Sequence, residues 1–287
     1  MKEKEKFLII GGDSRQLYMA DYFEKLGYRV QIYGLPEKNR ICCRNITEEI
    51  KNTENIILPL PVSKDGKTFS SVIPVKESVS ELVTLFDSNH RIFAGMVSST
   101  LKSKLEKNGS RVFDYFKREE VTVMNAVPTV QGILKAIIDN TEFTINSSKC
   151  AVFGYGRIGS LTADILSSIG AKVTVCARKY SDLAKATSKG LDSCFIKDFS
   201  SIADEFDIIV NTVPAVIINR DILVKLKKEC LIIDVASAPY GTDFAVASEL
   251  GINALLCSSL PGKVAPKTAG EIIADGVLNI IKEEFGE

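Results

Sequence analysis

The chain has little of what acid–base chemistry at neutral pH usually relies on: its 287 residues include one histidine, His90. A reaction needing an imidazole base therefore has one candidate. His90 falls in the turn between a predicted helix, Ser78 to Phe86, and a predicted strand, Arg91 to Ala94, where it reads as a surface residue. An excess of one charge is equally lacking. Lys+Arg and Asp+Glu both number 36, so nothing global draws the chain to nucleic acid or to an anionic membrane. No apolar run approaches the roughly 20 residues of a membrane span. The first six residues, Met1 to Lys6, alternate in charge and lack the apolar region of a signal peptide. The seven cysteines are odd in number and scattered, and the adjacent Cys42 and Cys43 have no zinc spacing near them. They read as reduced thiols of a cytoplasmic protein. Cys150, Cys176, Cys194, Cys230 and Cys257 each fall in or beside a predicted strand and are expected as small core residues. There is no internal repeat or low-complexity segment.

What is present is an apolar chain, 45% hydrophobic, long enough for two domains of ordinary size. One stretch organises it. Cys150 to Phe153 is a short apolar run suited to a buried parallel strand. Gly154-Tyr155-Gly156-Arg157-Ile158-Gly159 follows, and apolar residues then recur with helical period at Ile158, Leu161, Ile165, Leu166 and Ile169. Strand, glycine turn and helix form the phosphate-binding unit of a dinucleotide fold. Gly154 permits the tight turn, Gly156 the approach of backbone to a pyrophosphate, and Gly159 close packing of helix on strand. The helix N-terminus offers unpaired N–H groups to the anion. A glycine turn that binds nothing is the bland alternative.

The chain opens with a second strand-then-glycine unit, Phe7 to Gln16, carrying only Gly11-Gly12. A helix follows from about Ser14 to Leu26, then a strand at Arg29 to Tyr33. Asp13 and Ser14 suit a helix N-cap. Arg15 stands where open α/β sheets bind ligands, or is a solvated charge. Glu54 to Pro61 reads as another strand, Ser63 to Thr68 as exposed loop, and Val112 to Asp114 and Val121 to Met124 as short strands. Asn125 to Gly132 marks the domain boundary, with Pro128 placed to open a helix. A βα rhythm follows: strands at Lys172–Ala177, Ser193–Ile196, Asp207–Asn211, Leu231–Asp234 and Ala254–Cys257 alternate with helices near Asp182–Ser188, Ser200–Glu205, Arg220–Leu226 and Asp243–Leu250. Thr212, Val213 and Pro214, and Asp234 with Ala236, lie in loops on the cofactor side. Ser258 to Gly270 reads as a further loop, before a last helix from about Ala265 to Lys282. The expected architecture is α/β: two Rossmann-like domains, parallel sheets flanked by helices, with an interdomain cleft. Residues 1–127, completed by a C-terminal helix at 268–287, form a substrate or partner domain; residues 128–267 form the nucleotide-binding domain.

Cofactor choice can be read at the end of the second strand of that domain. NAD-selective domains carry Asp or Glu there for the ribose 2′-OH. Here the position is Ala177, followed by Arg178, Lys179 and Ser181. Without the carboxylate a 2′-phosphate meets no repulsion, and Arg178 adds a planar donor fork. The expectation is NADP, with NAD also accepted if these residues form only a solvated turn.

These motifs resemble the family of dipicolinate synthase A subunits. The matching pieces are Gly11-Gly-Asp-Ser-Arg-Gln16, Asn125-Ala-Val-Pro-Thr-Val-Gln-Gly132, Gly154 to Gly159, Ala236 to Phe244 and Leu260 to Gly270. They span nearly the whole chain in the family's order. One departure is Ala238-Pro239-Tyr240, where the family often has Arg-Pro-Gly. The resemblance implies formation of pyridine-2,6-dicarboxylate from a dihydrodipicolinate-type precursor in the mother cell of a sporulating bacterium. It also implies a partner, a flavodoxin-like B subunit. Any FMN would sit on that partner only, and self-association into a homo-oligomer is left open.

Chemistry agrees with the resemblance. Removing a hydride from a dihydropyridine makes an aromatic ring, so proton removal needs no strong base. Oxidising a 2-hydroxy acid normally needs His paired with a carboxylate, and the late loop from Ser258 to Thr268 has no His; a lysine could substitute if burial lowered its pKa. A dianionic substrate calls for cations and donors. The candidates are Arg15, Lys263 and Lys267, with Asn125 and Thr129 as neutral donors. Solvated charges, a turn residue and a capping threonine are the plain alternatives. Asp234 could also serve only to satisfy backbone N–H groups. No metal site is expected. Two rival classes stand beside this reading: an NAD(P)-dependent 2-hydroxyacid dehydrogenase, and a non-catalytic nucleotide-binding subunit.

Overall fold

Parallel strands buried on both faces read as continuous apolar runs, and the runs above become strands. The computed structural model describes residues 5–36, 43 and 45–286. In chain order, its elements begin with β1 (Lys6–Ile10), α1 (Ser14–Lys25), β2 (Arg29–Tyr33), α2 (Ile46–Lys51), β3 (Asn55–Ile57), α3 (Val79–Val83), β4 (Arg91–Ala94), α4 (Ser99–Lys107), β5 (Arg111–Asp114) and α5 (Glu119–Asn140). They continue with β6 (Lys149–Phe153), α6 (Arg157–Ser168), β7 (Lys172–Ala177), α7 (Tyr180–Ser188), β8 (Asp192–Phe195), β9 (Ile208–Asn211), α8 (Arg220–Leu223), β10 (Leu231–Asp234), α9 (Phe244–Glu249), β11 (Asn253–Leu256), α10 (Leu260–Val264) and α11 (Pro266–Phe285). The chain divides into two units: one runs to Asn125 and resumes at Ala265, the other is Ala126–Val264. The division falls inside α5.

The first unit holds a five-stranded parallel sheet of order β2-β1-β3-β4-β5. The strand order reverses at β1, so its switch point lies between β1 and β3. Phe7 to Ile10 have no exposed surface. Ile9 packs with Phe23 of α1 and Ile273 and Val277 of α11 on one face; Leu8 packs with Ile50, Leu82 and Ile92 on the other. Helix α11 comes close to α1 because Gly270 has no side chain: a Cβ there would stand 2.3 Å from the Arg15 carbonyl oxygen.

The second unit holds a six-stranded parallel sheet of order β11-β10-β9-β6-β7-β8. This is the dinucleotide-binding order, reversing between β6 and β9. Cys150 to Phe153 are fully buried. Cys150 and Val152 face Val130, Ile133 and Ile137 of α5, and Phe153 faces Phe199.

Several expectations are corrected. Val121–Met124 is not a strand but the first turns of α5, and Pro128 lies inside that helix rather than at its start. Helix α5 is also long and apolar enough to cross a membrane by length and composition alone. Its Val130, Ile133 and Ile137 are spent in the core of the second unit. Ser200–Glu205 forms parts of two short 3-10 turns, and Ser258–Gly270 contains α10 and the first turn of α11. The expected exposure of His90 is wrong. It is 4% exposed, its Nδ1 accepts from the Asp87 N–H at 2.9 Å, and its Nε2 lies 3.0 Å from the Ile50 carbonyl oxygen. The ring also meets Phe86 edge-on. Cys42 lies outside the described residues. Cys43, Cys150, Cys176 and Cys230 are buried, and Cys194 and Cys257 are half-buried. Burial pushes the Cys150 thiol up to about 11 and that of Cys230 to about 12, which leaves both inert as nucleophiles at neutral pH.

Candidate dinucleotide and substrate sites

The glycine loop is built at the β6/β9 switch point. Gly154 turns the chain at φ +90°, and a Cβ there would meet Thr212 Oγ1 at 2.5 Å. Thr212 itself donates from Oγ1 to the Phe153 carbonyl oxygen at 2.7 Å, which locks the β9 loop against the end of β6. Gly159 is buried, and a Cβ on it would stand 2.2 Å from the Gly154 carbonyl oxygen. Gly156 is different. It is exposed, at φ −85°, and a Cβ there would meet no atom within 4 Å. It is the N-cap of α6 and gives that helix no side-chain cap. The first N–H groups of a 12-residue helix therefore open beside a glycine whose missing side chain leaves space. That is a cradle for phosphate. Arg157 is exposed there, while Tyr155 and Ile158 pack into the core below. The Tyr155 hydroxyl is buried with no partner among the described residues.

At the end of β7, Ala177 is buried while Arg178, Lys179 and Ser181 are exposed. Tyr180, to which the sequence reading gave no role, is 80% exposed and sets its ring edgewise on Phe195. Val213 is half-buried and Pro214 exposed. Asp234 has the bracing role that the sequence left open beside cofactor contact. It has no exposed surface. Oδ1 accepts from Asn211 Nδ2 and the Ala236 N–H, each at 3.0 Å; Oδ2 accepts from the Gly241 N–H at 2.9 Å and Thr242 Oγ1 at 2.8 Å. Its carboxylate is spent on shaping the 236–242 loop. Ala236 is buried in the same turn.

In the first unit, Asp13 is the N-cap of α1, in a capping box with Gln16. Arg15 is not a solvated charge. It is buried, its Nε and one terminal nitrogen gripping both Asp13 oxygens at 2.8–3.2 Å, and that terminal nitrogen also donates to the Leu60 carbonyl oxygen at 2.9 Å. Burial pushes the Asp13 carboxyl up, but the Arg15 hydrogen bonds and charge outweigh it and hold the group below its ordinary value. Asn125 is half-buried and Thr129 buried, both on α5. Lys263 is exposed in α10. Lys267 is exposed in the first turn of α11, where it lines a groove of about 250 Å³ with Tyr18, Asp21, Tyr22, Lys25 and Glu271. Arg15, Asn125 and Lys267 thus belong to the first unit, Thr129 and Lys263 to the second. Among the described residues no cluster of metal-ligating side chains occurs.

Residues 6–116 match the family described as the N-terminal domain of the dipicolinate synthase A subunit. Residues 132–251 match the NAD binding domain of D-isomer specific 2-hydroxyacid dehydrogenases. Over 286 residues the chain is 32% identical to the dipicolinate synthase A subunit of Bacillus subtilis (strain 168), covering 97% of this chain and 96% of that one. The chain belongs to the family of dipicolinate synthase A subunits. The crystal structure of the dipicolinate synthase A subunit from Bacillus halodurans superposes with a TM-score of 0.88 at 29% identity, covering 96% and 97% of the two chains. That of its Bacillus subtilis counterpart superposes with a TM-score of 0.87 at 31% identity, covering 100% and 99%. A transhydrogenase from Sinorhizobium meliloti shares the fold, with a TM-score of 0.71 at 14% identity over 96% and 94% of the chains. The NAD-binding dehydrogenase domain makes this chain an oxidoreductase using a nicotinamide cofactor. Tyr240 sits at φ +67°, the left-handed region that favours glycine.

Proposed function

We propose that this chain is the oxidising subunit of a dipicolinate synthase, transferring hydride from a dihydrodipicolinate-type precursor to NADP in concert with a B subunit, in the mother-cell cytoplasm of a sporulating bacterium. The observation that carries this reading is an open phosphate cradle at Gly156 in a chain whose single histidine is sealed in a turn. A hydroxyacid oxidation would want that imidazole as base; an aromatisation does not. The precursor loses a hydride and a proton, two electrons in all, and the ring becomes aromatic pyridine-2,6-dicarboxylate. Bound nicotinamide dinucleotide supplies the hydride acceptor.

The chain's own residues do the holding. The α6 N-terminal N–H groups take the pyrophosphate, and Gly156 lets the backbone reach it. Arg178, Lys179 and Ser181 receive the 2′-phosphate, with no acid at Ala177 to repel it. The exposed ring of Tyr180 offers a face to the adenine. Thr212 and the Asp234-braced loop fix the shape of the floor. The test follows reduced cofactor and product by absorbance, with the purified chain alone and then with the B subunit present. Turnover that needs this chain and favours NADP supports the reading. Turnover of simple 2-hydroxy acids instead would replace it. Arg178→Ala should weaken NADPH at least tenfold, one charge-assisted contact being worth about 1.5–3 kcal/mol, and leave NADH nearly unchanged. Equal NADPH and NADH affinities in the parent would defeat the cofactor assignment.

A further inference from the structure

Arg15 has spent most of its donor fork on Asp13 and Leu60, and Lys267 shares its groove with Asp21 and Glu271. Two of the three cations expected to meet a dicarboxylate thus have acidic company, and the third, Lys263, is exposed in the second unit. A second cavity of the first unit has no acid in its lining. It measures about 420 Å³, within the roughly 300–1,000 Å³ of small-molecule sites. It opens beyond the carboxyl ends of β3 and β4, the side of a parallel sheet on which ligands bind.

One wall carries Lys64, from the loop after β3, and another carries Lys104 of α4. Neither lysine has an ion pair or hydrogen bond among the described residues. The remaining polar lining is hydroxyl, from Ser63, Ser80, Ser98 and Thr100, with no carboxylate. The floor is apolar, from Val62, Val79, Val83 and Leu101. Two lysines lining one cavity that has no carboxylate in its lining disfavour each other unless an anion joins them. Lys64 also contributes to holding the Asp13 carboxyl low, and its loop follows β3, one of the two strands at the switch point. A bare inorganic anion would use the lysines and leave the apolar floor idle. A planar ring bearing carboxylates uses both.

We propose that this cavity is the carboxylate subsite, binding a small aromatic or dihydroaromatic dicarboxylate through Lys64 and Lys104 over the floor of Val79, Val83 and Leu101; the inference rests on the function proposed above. Specificity for the acid is thus assigned to two lysines forty positions apart, and Arg15 becomes a positioning residue for the loop after β3.

The test is calorimetric titration of pyridine-2,6-dicarboxylate into the full chain without nucleotide, with inorganic phosphate as a second arm. Lys64→Ala and Lys104→Ala should each weaken the dicarboxylate about tenfold or more. Lys102→Ala serves as control, since Lys102 lies on α4 outside the cavity and pairs with Glu106 at 3.5 Å; it should change nothing. All three side chains lie at the surface, so melting temperatures should match the parent. Unchanged affinity in both lysine variants, phosphate bound as tightly as the dicarboxylate, or no saturable binding to the parent would each overturn the assignment. Turnover with the B subunit separates the two ideas. Normal turnover at unchanged KM in both lysine variants removes the pocket and keeps the function. A parent chain that binds the dicarboxylate through these lysines yet never turns over removes the function and keeps the pocket.

Discussion

Two glycines of one loop, three residues apart, should respond to substitution in opposite ways. A Cβ at Gly159 would stand 2.2 Å from the Gly154 carbonyl oxygen and 2.9 Å from its carbon. Both atoms are backbone, so relief means moving the loop or α6 bodily. Overpacking of this kind costs about 1–3 kcal/mol, or about 4–12 °C in Tm at about 4 °C per kcal/mol for a unit of this size. Gly159→Ala is therefore expected to melt early. At Gly156 nothing lies within 4 Å of the added carbon, and the backbone at φ −85° suits any residue. The cost of Gly156→Val is only the loss of a tolerable N-cap residue, below about 1 kcal/mol. Its effect falls on the ligand. A branched side chain over the helix N-terminus blocks the approach of a pyrophosphate. Losing two charge-assisted backbone hydrogen bonds of about 1.5–3 kcal/mol each weakens binding roughly hundredfold or more. The assays are thermal melts of both variants and fluorescence titration with NADPH. Unchanged NADPH affinity in Gly156→Val would refute the cradle, and a Gly159→Ala variant as stable as the parent would refute the packing argument.

The two sheets were legible because parallel strands leave little but apolar side chains between turns. Arg29–Tyr33, Lys172–Ala177 and Leu231–Asp234 were read to the residue, and the chain's family was legible in the glycine and proline motifs that shape its loops. What escaped has physical causes. Val121-Thr-Val-Met124 is β-branched and looks like a strand, but Glu119 and Glu120 favour a helix N-terminus, and Val121 is buried against α11, 2.3 Å from where a Gly276 side chain would begin. Tertiary packing overrode propensity. His90 looked exposed because turns usually are; its burial depends on the Ile50 carbonyl, forty residues away. Asp234 at a strand end resembles a ligand-binding acid. That it could instead brace backbone N–H groups was legible; that four donors, from Asn211 and from a loop folding back over it, take up the whole carboxylate was not. Lys64 and Lys104 are unremarkable in sequence; only the fold puts them on one cavity.

Three further outcomes follow from polar groups held in internal hydrogen bonds. His90→Gln should destabilise the first unit by about 1–3 kcal/mol through lost buried hydrogen bonds and leave the pH dependence of turnover unchanged; a displaced pH–rate profile would return His90 to the chemistry. Asp13 has a folded pKa below its unfolded value, so its stabilisation is full above the unfolded pKa and is lost as pH falls through the folded one. The stability advantage of the parent over Asp13→Asn should hold from neutral pH to about 5 and shrink below about 4, and denaturation midpoints that keep a constant gap down to pH 2 would contradict the Arg15 pairing. Asp234→Asn tests whether that acid shapes a loop or meets a cofactor. An amide keeps one acceptor oxygen and turns an NH₂ toward donors, so at least two of the four bonds are lost, at about 1–3 kcal/mol for each donor left buried and unpaired. A Gly241 side chain would stand 2.0 Å from Asn211 Nδ2, so the loop cannot slide inward to compensate. The variant should therefore lose about 2–6 kcal/mol of stability by chemical denaturation, with any loss of nucleotide affinity appearing only together with that unfolding. A variant as stable as the parent but weakened toward nucleotide would mean that the carboxylate touches the cofactor after all.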